Sequence, residues 1–234
     1  MKRWILLVIF IPFILNAKIS TSQLILISSN GWNDNQASLQ RYEKIDNRWH
    51  KIGKKLSIHI GRNGFGWGIG LHKIPKNAKY IKKEGDGRSP AGIFRLLNAF
   101  GYEPFDISYP YEVYHRYDHC VDDINSRYYN SIIDSRKVDI DYKSKEYMKF
   151  AKDYYKYGIV VDHNSFGSLH SLKGAGSCIF VHIKDKPTAG CSVMTQKEIK
   201  KILRWLDKNK NPILIQAPKD TIKSLYRYAT KMNL

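Results

Sequence analysis

The chain has 234 residues, 43% of them apolar and 26% charged, a balance that excludes a long disordered or low-complexity protein. That length suits one domain with a sizeable core. Thirty-nine Lys and Arg against 21 Asp and Glu give a formal charge of +18, which attracts polyanions, although the lysines are spread along the chain as on an ordinary solvated surface.

Lys2 and Arg3 precede an apolar run over 4–15, broken only by Pro12, and Ala17 offers a small residue for cleavage. This is the layout of a secretory signal peptide over 1–17. The run is short for a bilayer span, which needs about 20 apolar residues. Residues 18–234 are expected to form a single exported domain in the periplasm or cell envelope. Without Lys2 and Arg3 its charge is +16. Nucleic acid is therefore not an expected partner, and cell-wall polymers or anionic lipid surfaces are.

Residues 22–28 read as a first strand. Residues 37–49 alternate loosely and read as a second strand with a turn at Asp46-Asn47, and 55–60 as another. The stretch 61–70 holds five glycines, too many for a stable helix. It lacks the Lys-Ser/Thr ending of a phosphate loop, which argues against nucleotide binding, and it reads as a bulged, tightly packed strand edge. A turn cluster over 84–94 leads into a strand. The aromatic alternation over 109–120 suggests another, and 143–157 has helical spacing through Tyr147, Met148, Ala151, Tyr154 and Tyr155. Strands are expected over 157–162 and 178–183. Thr195 and Glu198 have the spacing of a helix capping box, ahead of Ile199, Ile202, Leu203 and Leu206 on one helical face. A strand over 213–216 and a terminal helix over 219–232 complete the chain. Many short strands with few helices predict a mostly-β domain, barrel or sandwich, with peripheral helices.

The three cysteines are Cys120, Cys178 and Cys191. If one pair forms, Cys120 with Cys178 is expected, leaving Cys191 free; both could equally be buried reduced thiols. A thiol attacks acyl carbons well only as a thiolate, so it needs a base or a positive field. His182 ends a β run, and Cys191 follows nine residues later, past the turn chemistry of 187–190. A strand, turn and return can bring the two together. Gly190 removes bulk beside the thiol, where backbone N–H groups can form an oxyanion hole. Competing readings are a buried apolar cysteine with a structural histidine, and a zinc site drawn from Cys178, His182, Cys191, His163 and His170, which lacks paired C-x-x-C spacing.

These residues carry a family resemblance. The runs Glu84-Gly-Asp-Gly-Arg-Ser-Pro-Ala-Gly-Ile-Phe94, Cys120-Val-Asp-Asp123, Ser126-Arg-Tyr-Tyr-Asn130 and Tyr157-Gly-Ile-Val-Val-Asp162 contribute. So do Gly174-Ala-Gly-Ser-Cys-Ile-Phe-Val-His182, Thr188-Ala-Gly-Cys191 and Arg204-Trp-Leu206. Together they resemble the L,D-transpeptidase catalytic domain (YkuD-type) family, in a branch with this His strand and Thr-Ala-Gly-Cys loop. The resemblance implies a β-rich fold, Cys191 as nucleophile and His182 as base. It implies peptidoglycan stem peptides as partners, cut at a diaminopimelate residue and held as a thioester until an amine or water accepts the acyl group. Thr188, Gly190, Ser192 and Ser177 are the expected oxyanion or supporting residues. No metal or organic cofactor is implied, and a monomer is expected. Many members follow the cysteine with an apolar residue and Arg, whereas Ser192-Val-Met194 stands here. Substrate carboxylate binding then falls to Arg88, Arg127 or Lys184, and amine binding to Asp122 or Asp123. The third group orienting His182 is a backbone carbonyl or a side chain such as Ser177 or Asp162. The alternatives are a carboxypeptidase or endopeptidase using the same site with water, and a non-catalytic wall-binding protein.

Overall fold

The computed structural model describes residues 20–232 and residue 234; the predicted signal peptide lies outside them. The chain begins with β1 (Gln23–Ser29), β2 (Gln36–Ile45) and β3 (Arg48–His59). Asp46 and Asn47 both have positive φ, the two-residue hairpin that suits the right-handed twist of its strands. The expected break between residues 49 and 55 is instead one continuous β3. The pairing register slips between Leu39 and Arg41, and Gly53 takes φ +67° beside the slip. A bulge there disguises a single strand as two.

Eight strands close into a ring. In order around it run β10 (Tyr157–Val161), β11 (Phe180–Ile183), β12 (Ser192–Met194), β3, β2, β1, β13 (Ile213–Pro218) and β5 (Ser89–Gly101), with β5 pairing back to β10. The barrel is mixed: β1 with β13 and β11 with β12 run parallel, and the other ring pairs run antiparallel. The short β4 (Phe65–Trp67) and β6 (Tyr111–Val113) add to β5, so the glycine-dense stretch is a packed edge as expected. Helix α1 (Gln196–Trp205) starts where the capping residues predict, the Thr195 side chain accepting from the Glu198 amide, and buries Ile199, Ile202 and Leu203. Helix α2 (Lys219–Lys231) packs Leu225 and Ala229 inward.

A separate three-stranded sheet, β8 (Ile132–Asp134), β7 (Asp118–Val121) and β9 (Lys145–Tyr147), forms a lobe outside the barrel. It corrects two expectations. The single strand expected over 109–120 is two, β6 and β7. The helix expected over 143–157 is β9 followed by a short 3-10 turn, Asp153–Tyr155. The apolar positions there are not one helical face: Met148 and Tyr155 are buried while Tyr147 is exposed, because β7 pairs residue for residue with β9 and tertiary pairing outweighs a weak local pattern.

Two apolar cores result, and the strands between them are buried on both faces. Ile159, Val161, Ile179, Val181 and Met194 face the barrel interior. Val160, Cys178, Phe180, Cys191 and Val193 face outward into a second core, with Cys120, Met148 and Tyr155 of the lobe side. Burial on both faces explains why 178–181 reads as an unbroken apolar run rather than an alternation.

Within β5, Gly92 has φ +149°, and a Cβ there would lie 1.9 Å from the His72 ring, whose Nδ1 accepts from the Ile93 amide. The steric and backbone conflicts reinforce each other. Gly92→Ala is expected to cost about 3 kcal/mol in chemical denaturation; a loss under 1 kcal/mol, roughly the scale of an ordinary surface change, would contradict this account.

Candidate active site

The site lies on the outer face of β11 and β12, under the lobe. The parallel register sets Val181 beside Ser192 and His182 beside Val193. Strand alternation therefore sends Phe180, His182, Cys191 and Val193 to one side. His182 and Cys191 line the same cavity of about 240 Å³, with Lys82, Glu84, Asp122, Glu146 and Lys184.

Cys191 is the free cysteine. Its Sγ accepts from the Phe180 amide at 3.3 Å and donates to the Cys178 carbonyl at 3.4 Å. Burial pushes the thiol pKa up, and the nearby Glu146 carboxyl adds to this, while the Phe180 N–H pulls it down. The His182 Nδ1 lies 3.1 Å from both the Tyr154 and Ile183 carbonyls. Carbonyls only accept, so Nδ1 carries the proton and Nε2 keeps its lone pair. Burial holds the imidazole neutral, its pKa pushed down to about 4. The resting pair is thus thiol and imidazole, not thiolate and imidazolium.

The loop carrying Cys191 is held from three sides. Thr188 Oγ1 donates to the Cys191 carbonyl at 2.6 Å and accepts from the Gly190 amide at 3.1 Å. Ser89 Oγ donates to the Gly190 carbonyl at 2.6 Å, which is where the 84–94 motif meets the loop. Ser192 points through the wall into the barrel, its Oγ donating to Gln216 Oε1 at 3.1 Å. It supports the strand from behind and does not reach the cavity.

Cys120 and Cys178 form a disulfide, which removes Cys178 from the zinc alternative. No group of three or more His, Cys, Asp or Glu able to hold a metal ion occurs among the described residues. The disulfide ties β7 of the lobe to the residue whose carbonyl touches Sγ. Cys178 itself sits at φ +54°, its amide donating to Asn130 Oδ1 at 3.0 Å.

The remaining candidates divide. Asp122 lines the cavity, with Oδ1 buried and without a partner. Lys184 lines it too, its Nζ over the Tyr154 ring at 5.1 Å. Ser177 also lines it, but its Oγ donates to Glu84 Oε2 at 2.7 Å rather than orienting His182. Asp162 pairs with Arg95 at 3.6 Å. His182 Nδ1 is therefore held by backbone carbonyls and not by either of these side chains. Arg88 is not brought to the cavity: its guanidinium donates to the Trp32 and Phe65 carbonyls and to Asn33 Oδ1 and stacks on Tyr80. Arg127 faces Asp139 and Asp141 on the outer side of the lobe. Asp123 caps a turn, accepting from the Asn125 and Lys143 amides, and these bonds hold its carboxyl below the usual range. Sequence reasoning missed the Phe180 amide, Lys82, Tyr155 and Glu146. Phe180 could have been found from strand register. Nothing local marks Glu146, which reaches the cavity only through the β7–β9 pairing.

His72, His163 and His182 are all held near pKa 4, in each case chiefly by burial. Unfolding returns them to about 6.5. Their stabilising effect is complete above pH 6.5 and is lost as pH falls towards 4, because the unfolded chain binds the protons first. Glu146, raised to about 7 by burial, acts in the opposite sense between pH 7 and about 4.5. With three groups against one, Tm is expected to fall between pH 6.5 and 4.5; a flat or rising Tm over that window would refute it.

No curated protein matches the chain. The solved structure of the helical cell shape determining protein Pgp2 from Campylobacter jejuni aligns at 14% identity and a TM-score of 0.41, over 87% of this chain and 52% of that one. This chain thus spans about half the length of that protein. The family model for the L,D-transpeptidase catalytic domain, YkuD, matches residues 60–215, more than half of the chain, including both His182 and Cys191. The chain belongs to the YkuD L,D-transpeptidase catalytic domain family.

Proposed function

We propose that this protein is an exported cysteine acyltransferase acting on peptidoglycan stem peptides, an L,D-transpeptidase working through a Cys191 thioester. The observation that supports it most is the Cys191 thiol sharing one cavity with a neutral His182 whose Nδ1 is already held by carbonyls. In acylation, Sγ attacks the carbonyl carbon at the diaminopimelate residue while Nε2 takes the thiol proton, then passes it to the leaving amine. The imidazolium formed in between is stabilised by the Tyr154 and Ile183 carbonyls. The Phe180 amide favours the developing thiolate. The Gly190 amide already meets Thr188 Oγ1, so the Cys191 amide is the better placed oxyanion donor. In the second half, an acceptor amine gives its proton to His182 and displaces the thiolate, which is then reprotonated.

The test is incubation of the purified protein with disaccharide tetrapeptides, read by mass spectrometry beside Cys191→Ala. Cross-linked dimers or exchanged stems identify the transferase, and trimmed monomers the hydrolytic use of the same thioester. Products that persist undiminished in Cys191→Ala would remove Cys191 from the mechanism.

A further inference from the structure

One carboxyl in the cavity wall is accounted for by neither the nucleophile nor the base. The β7–β9 register sets His119 opposite Tyr147 and Cys120 opposite Glu146. Alternation sends the first pair to the far side of the lobe, their rings meeting edge to face at 4.8 Å. The second pair faces the site, with Cys120 in the disulfide and Glu146 lining the cavity beside His182 and Cys191.

Glu146 accepts a hydrogen bond from the Tyr155 hydroxyl. Tyr155 is buried, its ring centroid 4.8 Å from that of His182 and its edges against Phe100 and Phe180. It is the last residue of the 3-10 turn Asp153–Tyr155, and its neighbour Tyr154 supplies the carbonyl that receives the His182 Nδ1 proton. This turn has no side-chain cap of its own; its entry at Lys152 is held by the Tyr102 hydroxyl at 3.4 Å. Where a carboxylate grips a catalytic imidazole directly, the carboxylate sets the ring. Here two backbone carbonyls grip it, Ile183 on the histidine's own strand and Tyr154 on the turn, so the position of the turn helps to set the ring.

We propose that Glu146 is a positioning residue of the Cys191–His182 site: through the Tyr155 hydroxyl it fixes the turn whose carbonyl orients the base, and so joins the lobe to the reaction. The proposal rests on the reading of Cys191 as nucleophile and His182 as base. A base displaced by a fraction of an ångström loses rate without losing substrate binding.

The test is steady-state stem exchange by Glu146→Ala, Glu146→Gln, Tyr155→Phe and the Glu146→Ala/Tyr155→Phe double variant, with melting curves for each. Glu146→Ala and Tyr155→Phe are each expected to lower kcat about tenfold with KM within about twofold. The double variant is expected to be no worse than either. Glu146→Gln keeps an oxygen that accepts from Tyr155 and is expected to retain kcat within about threefold, taking the loss to scale with the hydrogen bond. Tyr155→Phe keeps the buried ring and serves if Glu146→Ala does not fold. Wild-type kcat in a folded Tyr155→Phe overturns the proposal, as does a Glu146→Gln no better than Glu146→Ala. Cys191→Ala run in parallel separates the two readings, since turnover by that variant defeats the nucleophile assignment whatever the Glu146 variants do.

Discussion

Cys191→Ala is expected to lower kcat/KM for stem exchange by on the order of 10⁴-fold or more, as loss of a covalent nucleophile does where nothing replaces it. Stability should change far less. The buried Phe180 N–H loses its acceptor, which costs about 1–2 kcal/mol, or a fall in Tm of a few degrees for a chain of this size. Cys191→Ser sharpens the result. The hydroxyl can still accept from Phe180, but a serine without an oriented stronger base is a poor nucleophile, so activity should stay lost while Tm recovers. If the serine variant regained wild-type turnover, the sulfur would be a packing group and the acyl chemistry would lie elsewhere.

The second large effect belongs to the disulfide. Cys120 and Cys178 are 58 residues apart, and closing a loop of that length removes unfolded-state entropy worth about 4 kcal/mol. The double variant Cys120→Ala/Cys178→Ala is expected to lose about that much in urea denaturation, with the m-value rising as the unfolded chain expands. Activity should fall more than stability explains, even at temperatures where the variant is fully folded. Cys178 holds a left-handed conformation costly for a residue with a Cβ, and its carbonyl lies 3.4 Å from Sγ. Freed of the cross-link, the loop can relax and carry that carbonyl away from the thiol. Wild-type kcat/KM in a folded double variant would show that the bond stabilises the lobe without shaping the site.

The Cys191–His182 pairing could be read from residues alone because strand, turn and return is a short-range construction. Nine residues separate the two, and the register between β11 and β12 brings them to one side. The Thr195 cap and the Asp46-Asn47 turn are equally local, since a cap or a hairpin turn is decided within four residues. The family motifs added the expected chemistry. The disulfide pairing stayed open at that level, because three cysteines allow it without requiring it.

The lobe could not be read in this way. Residues 143–157 have an apolar spacing that suits a helix, yet β7 captures 145–147 as a strand, and that pairing turns Glu146 towards a cavity formed by residues far along the chain. Arg88 and Arg127 have the right charge for a substrate carboxylate but bond elsewhere, because their partners, among them the Trp32 carbonyl and Asp139, come from distant or unmarked positions. Cys191 shows the division most plainly. Its residue type, its small neighbours and its distance from His182 are local, and they suffice to nominate a thiol and a base. Which groups surround the sulfur depends on burying a barrel wall on both faces, and that burial places the Phe180 amide, the Cys178 carbonyl and Glu146 around it. Long-range packing sets the electrostatic surroundings of a reactive group, and no stretch of chain encodes those surroundings in its own composition.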